Sequence, residues 1–245
     1  MSQQASPLAG VEVYIFDVFG TVVDWYGNIT RALAAAAPDG INEDWDAFAN
    51  EWRTGYFNHA RSIAAGGEGT TNMDKAHRQT LDAMLDTPRW KKLGSAWDNE
   101  QRQALVKAWH KANGWPDSSK GIYGLKKKAI VAALSNGNVR FLVDLAKHAD
   151  LPFDVLLSVD LFGTCKPNEK VYQGALHHLD AAPEKCVMVA AHLWDLRAAA
   201  KQGMRTVYVP RVTDDKEDRD SVKTKADGGE VDLVVSSIEE LAELA

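Results

Sequence analysis

The stretch Val13-Tyr14-Ile15-Phe16-Asp17-Val18-Phe19-Gly20-Thr21-Val22-Val23-Asp24-Trp25 decides the fold of this 245-residue chain. Its run of β-branched and aromatic residues predicts a buried strand, broken at an aspartate that is followed three residues later by glycine. One carboxylate then stands at the carboxyl end of a central strand, the edge at which open parallel sheets bind their ligands. An aspartate in that place has three chemical uses: metal ligand, general base, or nucleophile toward an electrophilic carbon or phosphorus. It can equally cap the next helix.

Working outward, residues 26–112 change character, with helical spacing and little strand-like alternation. Helices are predicted over Asn28–Ala37, ended by Pro38-Asp39-Gly40, and over Asp44–Ala65. In the second, Trp45, Phe48, Trp52, Tyr56 and Phe57 recur at helical spacing and form one face. Two more are predicted near Asn72–Leu85 and Glu100–Lys111. The tryptophans of this block suit core packing better than a cofactor site. After Trp115-Pro116-Asp117 strands and helices alternate. Strands are expected at Ala129–Leu134, Phe153–Leu157, Cys186–Ala190, Arg205–Val209 and Asp232–Val235. The intervening and closing helices are Val139–Ala149, Asn168–Leu179, Leu193–Gln202 and Ile238–Leu244. Residues 211–230, charged with mixed signs, are expected to form an exposed excursion, and Lys126-Lys127-Lys128 a solvated helix end. The alternation implies an α/β fold, a Rossmann-like parallel sheet core with an inserted all-helical block. The core is assigned to residues 1–25 and 113–245 and the helical block to 26–112.

Composition narrows the function. At 45% hydrophobic residues the chain can bury a sizeable core, and its formal net charge of −6 gives no general attraction to nucleic-acid backbones or anionic membranes. The two cysteines, Cys165 and Cys186, cannot build a disulfide framework and lack metal-ligand spacing, which points to a reducing, cytoplasmic setting. Met1 to Gly10 is polar without the apolar segment of a signal peptide, and no apolar run approaches membrane-spanning length.

Three predicted strands end in polar or small residues: Asp17, Ser135-Asn136 and Ala190-Ala191-His192. In a parallel sheet these ends share one edge, so groups distant in sequence converge. A hydroxyl at Ser135 and an amide at Asn136 can hold a carboxylate or receive an anion, or simply form the turn into the next helix. Lys166, before Pro167 at the first turn of a helix, can point into the crevice and keep a carboxylate ionised. His192 can serve the site or cap the helix that follows.

Asp17 with Thr21, Ser135-Asn136-Gly137, Lys166-Pro167 with Val171-Tyr172, and Trp194-Asp195 together resemble, in order, the four signatures of the haloacid dehalogenase superfamily, over Val13 to Val235. Most members are phosphatases whose second aspartate, two residues after the first, protonates the leaving group. Phe19 stands there in this chain, and its ring has no proton to give. Aligned on Asp195 and Gly203, Ala190 and Ala191 replace the phosphatases' Gly-Asp, and a methyl group cannot ligate magnesium. The resemblance therefore implies a metal-free, cofactor-free reaction and the type II L-2-haloacid dehalogenase branch. That branch has an aromatic at the Phe19 position, a tyrosine where Tyr172 stands, and a Trp-Arg pair on its cap helix like Trp52-Arg53. It ends the fourth signature's strand in Ser-Ser-Asn, so His192 here occupies the asparagine position and a serine is lost at Ala190.

As the branch implies, Asp17 displaces halide from a small 2-haloalkanoic acid and forms an ester, with Thr21, Ser135, Lys166 and Tyr172 holding the carboxylate. Arg53, Asn136 and Trp194, with His192 at the pocket edge, receive the halide, and backbone amides near Val18 and Phe19 hold the substrate carboxylate. Water directed by Asp195 or His192 then releases a 2-hydroxy acid. The helical block becomes a cap, and family habit suggests a homodimer. A tight pocket from His192 and Trp194 extends the expectation to fluoroacetate, because fluoride is a small, strongly hydrated and poor leaving group that needs several donors. Two alternatives are a magnesium-dependent small-molecule phosphatase and a non-catalytic protein that binds an anionic metabolite or docks a partner.

Overall fold

Strand β1 (Val13–Phe16) lies at the centre of a six-stranded sheet in the computed structural model, which describes residues 6–245. Of the polar stretch Met1 to Gly10, residues 1–5 lie outside the described residues. The other strands of this sheet are β4 (Ile130–Ser135), β5 (Val155–Ser158), β6 (Cys186–Ala190), β7 (Arg205–Tyr208) and β8 (Leu233–Val234), while β2 (Val23–Asp24) and β3 (Asn113–Gly114) form a separate short pair. Their order is β5-β4-β1-β6-β7-β8, and every pairing is parallel. Phe16 registers with Ala133 on one side and Val189 on the other, so β1, β4 and β6 end together where the strand order reverses. Crevices in open sheets form at that point.

Side chains along the strands divide into two apolar layers. Tyr14, Phe16, Val131, Ala133, Val187 and Val189 join one core, while Val13, Ile15, Ala132, Leu134, Met188 and Ala190 join the other. Both faces are therefore covered, which is why the strands are continuously hydrophobic rather than alternating.

A two-residue strand β2 (Val23–Asp24) pairs antiparallel with β3 (Asn113–Gly114), so the chain leaves the sheet region and returns to it side by side. Between them come α1 (Trp25–Ala35), α2 (Trp45–Ala64), α3 (Met73–Leu85), α4 (Lys91–Ala96) and α5 (Asn99–Ala108). Helix α1 starts three residues before the expected Asn28 because the Asp24 carboxylate accepts the Gly27 amide at 2.8 Å and caps it. Helix α2 buries Phe48, Ala49, Trp52, Arg53, Tyr56, Ala60 and Ile63 along one stripe, while Trp45 and Phe57 are only half-buried. Phe48 packs against Trp90 and Trp97 with ring centroids 4.8 and 5.8 Å apart, so the tryptophans form a core. Helix α4 was not legible in the sequence pattern.

The second half adds α6 (Ser118–Lys126), α7 (Val139–His148), α8 (Glu169–Leu179), α9 (Leu193–Ala200) and α10 (Ile238–Leu244). Pro167 stands outside α8, one residue before the cap Asn168, rather than in its first turn. The expectation of an exposed excursion over 211–230 needs correction at its start. Arg211 and Asp214 are buried, because the Arg211 guanidinium makes two bonds to Asp117 (2.8 and 3.0 Å) and donates Nε–H to the Thr21 carbonyl at 2.9 Å. Asp117 also accepts the Ile238 amide at 2.7 Å. The ion pair straps the segment after β7 to the turn that precedes Ser118, and the Nε–H bond ties it to the loop that follows β1.

Removing one member of a buried, hydrogen-bonded ion pair costs about 3 kcal/mol, because the other charge is left unpaired. Asp117→Ala is expected to lower unfolding stability by about that amount in urea titrations. An unchanged midpoint and slope would show that the strap contributes nothing.

Candidate active site

The carboxyl ends of β1, β4 and β6 bring Asp17, Ser135-Asn136 and His192 to the same crevice, as their strand positions require. Asp17 is held on both oxygens. Oδ1 accepts from the Lys166 ammonium at 3.2 Å; Oδ2 accepts from the Thr21 hydroxyl at 2.7 Å and lies 3.1 Å from His192 Nδ1. Thr21 in turn accepts the Ala191 amide at 2.9 Å, which locks the loop after β1 to the end of β6.

The Lys166 side chain is 1% exposed, and its ammonium also donates to Asp195 at 2.7 Å. The other Asp195 oxygen accepts from Tyr172 at 2.5 Å, and Asp195 is completely buried. Burial alone would raise the Asp17 carboxyl, but the Lys166 charge, the hydrogen bond and charge of His192 and the Thr21 hydroxyl together hold it well below the usual carboxylate range. Asp195 moves the other way, raised by burial that Lys166 and Tyr172 only partly offset. The environment thus separates two carboxylates sharing one lysine, and Asp17 is the one kept ionised.

Three expected contacts differ. The Ser135 hydroxyl accepts the Gly137 amide at 3.1 Å and shapes the turn, while still lining the cavity beside Asp17. Tyr172 bonds Asp195, so its link to Asp17 runs through Lys166. Asn136 turns its side-chain oxygen to the Lys166 amide at 2.9 Å, and its carbonyl accepts the Tyr56 hydroxyl at 3.1 Å, joining α2 to the sheet edge.

His192 stands at the N-cap position of α9 but its side chain makes no capping bond. Asp215 caps that helix instead, accepting the Leu193 amide at 2.7 Å. The imidazole lies between two carboxylates: Nε2 is 3.0 Å from Asp214 Oδ1, opposite the Asp17 contact. Burial would lower its pKa, yet the hydrogen bonds to Asp17 and Asp214, followed by their charges, push it up to about 10.

Asp214 is the residue that sequence reasoning missed. It follows the end of β7 and so belongs to the same sheet edge, but its mixed-charge neighbourhood resembles a solvated loop. Its Oδ2 accepts from Thr213 at 2.6 Å and its Oδ1 from the Trp25 indole at 3.4 Å. Gly20 makes room for it: with φ of +81°, a Cβ there would stand 2.3 Å from Asp214 Oδ2.

From α2, Arg53 enters this crevice inside an aromatic cage. Its guanidinium carbon is 4.2 Å from the Phe57 ring centroid and 5.1 Å from those of Phe19 and Trp25, and its buried Nε has no hydrogen-bond partner. A desolvated guanidinium with a free donor is an anion receptor. Behind it, His77 is stacked between Tyr56 and Trp109, with centroids 4.3 and 4.2 Å away. Burial and the Arg53 charge keep His77 neutral. Asp17, Phe19, Arg53, Asn136, His192 and Trp194 line a cavity of about 20 Å³, room for a water-sized molecule. Val18 is buried and is not part of this lining. A wider crevice of about 440 Å³, bordered by Arg53, His192, Trp194 and Asp214, opens outward from there.

Residues 11–203 match the family model described as haloacid dehalogenase-like hydrolase. (S)-2-Haloacid dehalogenase 4A of Burkholderia cepacia is 34% identical over 202 residues, covering 80% of this chain and 82% of that protein. The crystal structure of an L-2-haloacid dehalogenase superposes with a TM-score of 0.82 at 33% identity, covering 96% of this chain and 100% of the other. That of a defluorinating L-2-haloacid dehalogenase gives 0.84 at 33% identity, covering 95% and 94%.

The two-carboxylate clamp sets a measurable titration. Histidine-selective NMR is expected to find His192 protonated through pH 8, losing its proton near pH 10. Because this pKa is raised over the ordinary 6.5, the clamp's stabilisation is complete below pH 6.5 and is lost as pH rises through 10. A midpoint near 6.5 would contradict the clamp.

Proposed function

Because this chain belongs to the haloacid dehalogenase-like hydrolase family, we propose that it hydrolyses the carbon–halogen bond of small 2-haloalkanoic acids to 2-hydroxy acids, as its relatives' names, (S)-2- and L-2-haloacid dehalogenase, suggest. The observation that carries this reading is the juxtaposition, across one small cavity, of an ionised Asp17 carboxylate and the uncommitted guanidinium of Arg53. A nucleophile faces a receptor for the anion it expels.

In this reading Asp17 attacks the halogen-bearing carbon from the side opposite the halogen and becomes an ester as halide departs. Thr21 and Lys166 orient the carboxylate, Tyr172 and Asp195 hold Lys166, and Ser135 shapes the pocket wall. Arg53, with Asn136 and Trp194, receives the halide, and the backbone amides of Val18 and Phe19 receive the substrate carboxylate. Water then attacks the ester carbonyl and restores Asp17. Splitting the displacement into two steps lets a well-placed carboxylate perform the substitution at carbon. The helical block 26–112 acts as the cap, supplying Arg53 and excluding bulk water.

The donor set argues for metal independence. Lys166 already fills the space between Asp17 and Asp195 with a positive charge, and Ala191 presents a methyl group at the position of the phosphatases' aspartate. A magnesium ion requires oxygen donors, and neither an ammonium nor a methyl group is one. Phe19, stacked 5.0 Å from Phe141, cannot protonate a phosphoester leaving group either. Both cysteines are buried and unpaired, which suits a reducing cytoplasm.

The tight pocket lined by His192 and Trp194, together with the likeness to a defluorinating relative, supports extending the substrate range to fluoroacetate. Purified protein is expected to release chloride from chloroacetate without added metal. Arg53→Ala should lower kcat/KM about 100-fold, the usual cost of losing one donor to a developing anion, and Asp17→Asn should abolish turnover. Fluoroacetate should yield fluoride more slowly. Chloride without detectable fluoride would refute the extension alone; no halide, with magnesium-dependent phosphate release from simple esters, would refute the dehalogenase reading.

A further inference from the structure

His192 lies between two buried carboxylates, and only one of them is consumed by the reaction proposed above. Asp17 Oδ2 is 3.1 Å from Nδ1, whereas Asp214 Oδ1 is 3.0 Å from Nε2. Resting on that dehalogenase reading, we propose that Asp214 is a positioning residue that holds the Nε2 proton of His192, leaving Nδ1 to take a proton from the water that cleaves the Asp17 ester.

Several features of the fold commit Asp214 to this task. The Arg211–Asp117 strap fixes the start of its segment, and Thr213 occupies its second oxygen at 2.6 Å. Gly20 has no side chain, and any Cβ there would collide with the Asp214 carboxylate. The Trp25 indole bonds the same oxygen as His192, at 3.4 Å. An acceptor fixed on one ring nitrogen dictates the tautomer of the neutral imidazole, and therefore which nitrogen can act as base. Asp195 cannot substitute, being completely buried with its oxygens taken by Lys166 and Tyr172.

The proton count closes. In the resting state Asp17 is an anion and His192 a cation. Attack on the substrate forms the carbon–oxygen bond, breaks the carbon–halogen bond and removes the Asp17 charge. His192 then faces only the charges of Asp214 and the nearby Asp215, opposed by Arg53 from α2 and Lys166 beyond the ester, so its pKa falls and the Nδ1 proton passes to solvent. Water adds to the ester carbonyl and gives one proton to Nδ1; the bond between the Asp17 carbonyl carbon and the substrate oxygen then breaks, the alkoxide takes the second water proton from the new Asp17 carboxyl, and the hydroxy acid leaves. Asp17 and imidazolium are restored, and the overall products are one hydroxy acid, one halide and one proton.

Rapid-mixing measurements with chloroacetate test this directly. Asp214→Asn, which presents an NH₂ donor to Nε2 and so favours the wrong tautomer, should release one chloride per enzyme at nearly the normal rate. Steady turnover should then fall about 100-fold or more, with the ester visible as added mass on the Asp17 peptide. His192→Gln should behave alike, and the double variant should be no slower than His192→Gln. Asp214→Glu should recover part of the turnover. A lost burst, no trapped ester, or independent losses in the double variant would overturn the proposal. Absence of chloride from the unsubstituted enzyme would instead refute the dehalogenase reading. Should Asp214→Asn fold poorly, Asp17→Asn, which mimics the uncharged ester, carries the test: nitrogen NMR should find neutral His192 protonated on Nε2, and a ring protonated on Nδ1 would overturn the proposal.

Discussion

A single buried ammonium, that of Lys166 between Asp17 and Asp195, is the constraint on which the site depends. Two carboxylates withdrawn from water repel each other, and the loss of hydration would drive either to take a proton. The shared cation resolves this unevenly: Asp195, more enclosed, tends upward despite the hydrogen bond from Tyr172, and Asp17 keeps its charge. The three residues come from the end of β1, the turn before α8 and the first turn of α9. Parallel strands ending in register bring these segments together, so the topology of the sheet and the charge state of one oxygen pair are a single physical problem.

The cap side obeys a complementary rule. Arg53 is as deeply buried as the carboxylates but is surrounded by Phe19, Trp25 and Phe57 rather than by an ion-pair partner. Ring faces soften the loss of hydration without consuming the guanidinium's donors. Neutral His77 fills the space behind without adding repulsion. The site therefore combines a satisfied cation beneath the nucleophile with an unsatisfied one across from it. That asymmetry separates holding a carboxylate from receiving an anion.

Much of this was legible in the sequence because the relevant forces are local or periodic. Apolar runs buried on both sheet faces marked the strands, and their polar ends marked Asp17, Ser135 and His192. The stripe on α2 marked Arg53 among aromatics. What escaped notice depends on contacts across long separations. The burial of Asp214 follows from the Arg211–Asp117 pair, whose members lie 94 residues apart, within a run that otherwise resembles solvated chain. The short helix α4 carries no side-chain cap to announce it. Ser135 and Tyr172 were expected to grip Asp17 itself, but a turn amide and Asp195 lie closer and claim their hydroxyls.

The most direct examination of the central claim, that the Asp17 carboxylate itself displaces the leaving group, is one turnover in isotopically heavy water with enzyme in excess. The account predicts heavy oxygen in the peptide carrying Asp17 and ordinary oxygen in the new hydroxyl of the product. Heavy oxygen in the product with none in Asp17 would mean that water attacks the substrate carbon directly, and would contradict it.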